Sequence, residues 1–380
     1  MPALTGIRTV AALAVCLTHA AYWTGHYTDD YLGRLLSRFE IGVALFFVLS
    51  GYLLFSPWVR ALHDARPDRA PRYPAPGRYA WHRAQRILPA YWLTVVAVYL
   101  VYLFRDDPSD FGQGWSGLWR NLTFTQVYGL GHLHTGLTQM WSMTAEVAYY
   151  VVLPLVAWPL ARLVCGDRWR PDLLLVCLGG LLLISPLWTV IVHGSDGADP
   201  TARMWPPAFA SWFVGGMMLA VAGRLLSRWP ALPSVAVAAA AFLLTGSAVA
   251  GEPTIVPSDA GAALVKHTLY LVVALALIGP LAVGGGEDRW SRLCGSRPMV
   301  WFGEISYEFF LVHVMVLELV MDLLGYSVFT GSTAAAFAVT TVIALPVAWA
   351  LHRVTSPLWR DRGVEAARGA SHPDVVTGRG

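Results

Sequence analysis

Apolar stretches of about 20 residues recur along this chain from end to end, and that is the length an α-helix needs to cross the hydrocarbon core of a bilayer. We place ten of them, at roughly 4–23, 39–58, 87–104, 141–162, 172–193, 205–223, 232–250, 263–283, 299–324 and 332–352. Backbone groups find no water inside lipid, so a chain built this way has to be helical where it spans. The expectation is an all-α, polytopic membrane helical bundle of about ten transmembrane helices. Only 13% of the 380 residues are charged, against about 25% in an ordinary soluble domain. Seventeen Trp and fifteen Tyr suit aromatic belts at the two membrane surfaces.

Basic residues set the orientation. With the N-terminus inside, 21 of the 27 Lys and Arg fall on cytoplasmic segments and 6 on external ones, so both termini are expected in the cytoplasm. The first span starts within a few residues of Met1 and shows no small-residue cleavage site, so it reads as retained. The membrane unit is expected over 1–353, followed by a polar, disordered cytoplasmic tail at 354–380. Segment 105–140 is expected outside, lying along the interface or folded back as a lid. A net charge of +3 gives no nucleic-acid signal; the partner implied is the lipid bilayer. Cys16, Cys165, Cys177 and Cys294 have no CxxC spacing and read as core filler. His132 and His134 form an HxH pair without a third ligand, so no metal is expected. The Asn121-Leu-Thr123 sequon carries no weight without further context.

Two ionisable residues interrupt the first span. Arg8 and His19 are eleven residues apart in "LTGIRTVAALAVCLTHAAYW", which puts them on one stripe of a helix, about 16 Å apart along its axis. A charge at bilayer depth costs about 2.5–3.5 kcal/mol on insertion scales, so such groups face a protein interior or a wet cavity. Arg83 and Arg86 lead into the third span in "HRAQRILPAYW". Their spacing points both guanidiniums one way, and guanidinium is the side chain suited to bidentate phosphate recognition. Topology alone explains a basic loop there but not a tight pair. Glu146 sits about five residues inside the external end of the fourth span, and His19 is equally deep in the first. At matched depth a carboxylate can orient an imidazole or share its proton work; the plainer alternative is a helix-start carboxylate complementing the macrodipole. The ninth span carries Glu304, Glu308, His313, Glu318 and Asp322. His313 is expected to face the interior, and the roles of the acids stay open.

Five motifs in order resemble the acyltransferase-3 family of integral membrane acyltransferases, particularly its stand-alone actinobacterial members. They are "LTGIRTVAALAVCLTHA" with its Arg-x10-His pair, "EIGVALFFVLSGYLL" with Ser50, Arg83-x-x-Arg86 with "RILPAYW", "QMWSMTAEVAYYVVLPL" with Trp141, Ser142 and Glu146, and "FGEISYEFFLVH" with Tyr307 and His313. Thr5-Gly6-Ile7 departs from the pattern, which has an acidic residue before Gly-Leu-Arg; this affects only local capping. The resemblance implies a multi-pass protein of the bacterial cytoplasmic membrane, with no bound cofactor and acyl-coenzyme A as co-substrate. It also implies transfer to a hydroxyl of a glycan, glycolipid or natural-product acceptor on the outer side. His19 would be the catalytic base or acyl carrier with Glu146 beside it. Arg8, Arg83 and Arg86 would hold the donor, with Ser50, Trp141, Ser142, Tyr307 and His313 in support. With no further domain in the sequence, the membrane unit is expected to act alone or pass its product onward. The rival class is a proton-coupled transporter or flippase using His19 and Glu146 as a relay, which gives no reason for the paired arginines.

Overall fold

The computed structural model describes residues 1–66, 68, 70–105, 111–195, 197–254, 259–283 and 288–359. Its regular structure is helical, with no strand among the described residues. In chain order the α-helices are α1 (Pro2–Trp23), α2 (Tyr31–Ser37), α3 (Gly42–His63), α4 (Pro76–Tyr102), α5 (Gly114–Leu122), α6 (Trp141–Pro159) and α7 (Pro171–Leu182). There follow α8 (Ile184–His193), α9 (Ala210–Leu225), α10 (Ala231–Thr245), α11 (Ala260–Val283), α12 (Arg289–Cys294), α13 (Arg297–Leu323) and α14 (Thr333–Thr355). Every expected span coincides with helix. The expected tail lies outside the described residues from 360 onward.

Eight helical stretches are long and apolar enough to cross a membrane: Pro2–Trp23, Tyr31–His63, Pro76–Tyr102, Thr135–Val164, Pro171–His193, Pro200–Leu225, Ala260–Val283 and Thr333–Leu358. The two other expected spans fall outside that set for different reasons. Helix α10 has 15 residues, about 22 Å of rise, and gives way at Gly246 to a short turn at Ala248–Ala250. Helix α13 has 27 residues, ample length, but Glu304, Glu308, Glu318 and Asp322 make its apolar run too charged to count in that set. The span at 172–193 is one apolar run and two helices. Pro186 offers no N–H, and its ring opposes the carbonyl of Leu182, where α7 ends.

The acids of α13 are ties to its neighbours. Glu308 is buried and paired with His352 of α14 at 2.9 Å. Glu318, also buried, accepts a hydrogen bond from Tyr102 of α4. Asp322 meets Arg105, just past α4, at 2.7 Å, and Glu304 is exposed. Arg38 is likewise interior. Its guanidinium donates to the carbonyls of Thr245, Ala250, Gly251 and Glu252 at 2.6–3.1 Å, tying the start of α3 to the end of α10.

Segment 105–140, where described, folds back onto the bundle. Tyr91 and Trp92 of α4 donate to the carbonyls of Asn121 and Leu122, and Gln139 reaches the Leu311 carbonyl of α13. Asn121 of the sequon is fully buried, its amide donating to Gly117 and His132. His134 is buried too and accepts from the Gly136 N–H, which makes it a loop-building residue.

Helices α1, α3, α9 and α13 form the interior, while Val151, Leu155, Leu187, Ile191, Val342 and Val354 turn outward toward lipid. With no hydrophobic drive between helices in lipid, small residues let backbones meet. A Cβ on Gly51 would lie 2.0 Å from the Phe213 carbonyl oxygen, and one on Gly216 would lie 2.0 Å from that of Val48. The crossing of α3 and α9 is therefore backbone against backbone. We predict that Gly216→Val destabilises the protein by about 1–3 kcal/mol, the usual range for overpacking, and lowers the monodisperse yield in detergent. The lipid-facing Val342→Leu should leave that yield unchanged. Equal yields for the two variants would contradict the crossing.

Candidate active site

The His19 ring hangs from its own helix. Its Nδ1 lies 2.8 Å from the Val15 carbonyl oxygen and 3.1 Å from Nε2 of His313, whose Nδ1 lies 2.8 Å from the Phe310 carbonyl. A carbonyl oxygen only accepts, so with both rings neutral each Nδ1 carries the proton. His313 then offers Nε2 as an acceptor, and the His19 N–H is shared between Val15 and that nitrogen. This leaves Nε2 of His19 with a free lone pair and no hydrogen-bond partner among the described residues. Aromatic rings flank His313: Phe309 stacks on it at 5.9 Å, and Phe310 lies at 5.7 Å.

Next to this pair runs a cleft of about 810 Å³. Arg8 of α1, Ser50 of α3, Arg83 and Arg86 of α4, Ser142 and Glu146 of α6, and Tyr307 of α13 all line it. The i, i+3 spacing that sends Arg83 and Arg86 one way does so here. Among the described residues none of the three guanidiniums forms an ion pair. Arg83 Nε is buried with no hydrogen-bond partner, and Arg86 lies over the Trp359 ring at 5.0 Å. Glu146 is the carboxylate that lines the cleft with all three. The cleft therefore holds three guanidiniums against one carboxylate, an excess of positive charge inside a low-dielectric bundle.

Glu146 belongs to this cleft rather than to the imidazole. Its Oε1 accepts from Ser50 Oγ at 3.1 Å and from Tyr150. The expected carboxylate–imidazole contact is replaced by the His19–His313 contact. Equal depth fixes the height of two groups in a bundle and says nothing of which helices face one another. Tyr307 donates to the Ile87 carbonyl at 3.0 Å, pinning α13 to α4 beside the arginines, and Ser142 donates to the Gln139 carbonyl.

The cleft is one of a series of cavities. It shares Arg8 and Leu53 with a pocket at the α1 N-terminus that includes Met1, Ser56 and Arg60, and that pocket shares Pro57 and Arg60 with another lined by Arg72 and Tyr73. In the other direction it shares Val43 with a cavity of about 740 Å³ at the opposite end of the bundle. Trp141 lines this second cavity and not the cleft, together with Glu40, Trp188, Arg203, Trp212 and Lys266. Neither His19 nor His313 is among the residues lining the cleft or this cavity; Phe310 of the cleft wall separates them from the cleft, its ring 5.7 Å from that of His313. Phe46 of the cleft packs on Phe310 at 6.2 Å, and Gly42, next to Val43, lies against Ala11 and Val15 of α1.

Sequence reasoning missed Tyr150 and the Glu40–Lys266 pair, held at 2.7 Å with Tyr270 donating to the same carboxylate oxygen at 3.1 Å. Lys266 is the single lysine of the chain, set in an apolar span, and a span lysine calls for an acidic partner.

The chain is 24% identical over 343 residues to the peptidoglycan O-acetyltransferase OatA of Listeria monocytogenes, covering 85% of this chain and 50% of the relative. It is 26% identical over 344 residues to the acyltransferase MdmB of Streptomyces mycarofaciens, covering 86% and 81%. For the O-acetyltransferase OatA of Staphylococcus aureus the figures are 20% over 349 residues, 84% and 51%. The chain thus spans about half the length of the OatA relatives. No solved structure matches it. The family model for the acyltransferase domain matches residues 1–353, and the chain belongs to that family of multi-pass membrane proteins.

Proposed function

We propose that this chain is a membrane O-acyltransferase that takes an acyl group from acyl-coenzyme A in the arginine cleft and passes it to a hydroxyl of a glycan, glycolipid or natural product reaching the junction from the opposite cavity. The observation that carries this reading is the cleft's three guanidiniums without an ion pair. A coenzyme A head presents a pyrophosphate and a ribose phosphate, and Arg8, Arg83 and Arg86 have the planar donors to match them. The pocket with Arg60 at the α1 N-terminus supplies a mouth on the side that the distribution of arginines makes cytoplasmic. The thin pantetheine arm then runs inward past Ser50 and Tyr307 toward the imidazole pair.

The chemistry follows from the tautomer. His19 Nε2 takes the proton of the acceptor hydroxyl as that oxygen adds to the thioester carbonyl. The tetrahedral adduct collapses, the C–S bond breaks, and the thiolate leaves with the proton returned by the imidazole. The His313 nitrogen steadies the imidazolium-forming ring through the shared Nδ1–H, a positioning role. Glu146, bonded to Ser50 and Tyr150, balances part of the guanidinium charge. Two of the relatives are O-acetyltransferases by name, which supports transfer to oxygen. A transporter would need a relay from His19 to Glu146, and the hydrogen bonds of both residues lead elsewhere.

His19→Ala should lower acyl transfer by about 10²–10⁴-fold with unaltered elution of the detergent-solubilised protein; normal turnover would remove His19 from the mechanism. Arg83→Ala and Arg86→Ala should each weaken coenzyme A binding about tenfold, the scale of one lost charge-assisted contact, as read by calorimetry in nanodiscs. Unchanged affinity in both would sink the donor assignment. His313→Ala should reduce kcat with little change in the donor KM, and His313→Asn, which keeps an acceptor toward His19 and a donor toward Phe310, should recover most of it. A KM effect without a kcat effect would argue against positioning.

A further inference from the structure

The second cavity has its own recognition chemistry, and it differs in kind from the arginine cleft. Its walls are three tryptophans fixed by their neighbours. Trp188 donates to the Ala202 carbonyl at 2.9 Å and Trp212 to the His267 carbonyl at 3.1 Å; Trp141 packs on Phe209 at 4.8 Å. Rigid indole faces suit the C–H face of a saturated ring, and the polar atoms between them suit its hydroxyls. Charges in this cavity are sorted as well. Glu40 and Lys266 neutralise each other at 2.7 Å. Arg203 is left over: it is partly buried, lines the cavity, and forms neither hydrogen bond nor ion pair among the described residues. It does not wander with a loose loop. Asp199 caps the turn that carries it, accepting from the Thr201 backbone N–H at 2.8 Å and its hydroxyl at 2.6 Å, and Trp205 donates to the Val127 carbonyl at 3.2 Å.

We propose that this cavity is the acceptor's seat and that the acceptor it selects is an anionic sugar, a polyhydroxylated ring bearing a carboxylate or phosphate that Arg203 holds. The inference rests on the acyl-transfer reading above and narrows it to a substrate class. The ring lies between Trp188, Trp141 and Trp212, its acid group on the guanidinium. One of its hydroxyls then points past Val43 to the junction where His19 offers Nε2. A neutral sugar gains the stacking alone, so charge discriminates between the two.

The test is binding to the full chain in nanodiscs, followed by intrinsic tryptophan fluorescence. Glucuronate, glucose 6-phosphate and glucose are titrated separately, and coenzyme A is titrated calorimetrically on the same preparation. Wild type should prefer the anionic probes by about tenfold, the worth of one charge-assisted guanidinium contact. Arg203→Met should abolish that preference while glucose binding persists, Arg203→Lys should restore part of it, and Trp188→Ala should weaken all three sugars together. Equal affinity for glucose and the anionic sugars in wild type, retained preference in Arg203→Met, or no binding of any sugar would each overturn the proposal. If coenzyme A binds and the sugars do not, this inference fails alone. If the sugars bind as expected and coenzyme A does not, the donor assignment fails and the cavity remains a sugar site.

Discussion

Inside hydrocarbon no solvent and no counter-ion answers a polar atom, so every such atom in this bundle has to be met by another part of the protein or held for a substrate. Most are met. Glu308 has His352, Glu318 has Tyr102, Arg38 has four carbonyls, and Glu40 has Lys266 and Tyr270. Those pairs join α13 to α14 and α4, α3 to the end of α10, and α3 to α11. Each fixes the azimuth of a helix that apolar packing alone leaves free to rotate. Of the groups that stay unanswered, Arg8, Arg83 and Arg203 line the cavities, and Nε2 of His19 lies on the helix that carries Arg8. At a cavity wall, unanswered polarity is open to a substrate.

The scaffold brings helices close enough for this to work. Where α3 crosses α9, and again where Gly42 of α3 meets α1, the chain gives up side chains so that backbones touch. Close approach places Val43 and Phe46 beside the stripe of α1 that bears His19. The imidazole is then carried by its own helix through the Val15 carbonyl and steadied from α13 by His313. A ring held on two sides by groups that leave it one tautomer has its reactive nitrogen chosen before any substrate arrives.

Much of this was legible in the residues. Runs of twenty apolar side chains located the spanning helices, and the i, i+3 spacing of Arg83 and Arg86 turned both guanidiniums to one side, where they line a single cleft. What escaped reading was azimuth. Counting residues from helix ends set His19 and Glu146 at equal depth, yet α13 supplies the neighbour of His19, and Glu146 turns to Ser50 and Tyr150. The acids of α13 showed as an anomaly whose partners lie on other helices, beyond the reach of local spacing. Helix α10 read as a full span because Gly246 and the turn after it continue the apolar composition after the helix has ended. Arg203 gave no signal at all. It sits in a short connection, and only the tryptophans around it mark the place.

One valine belongs to the walls of both the arginine cleft and the tryptophan-lined cavity. A partition that thin has an electrical consequence for a bacterium that stores energy as a proton gradient. Val43 is apolar, and His19 and His313, which line neither cavity, each bring Nδ1 to a backbone carbonyl of their own helix. Among the described residues, no titrating side chain belongs to both linings. A small acyl group can be handed over at such a boundary while the potential across it is kept.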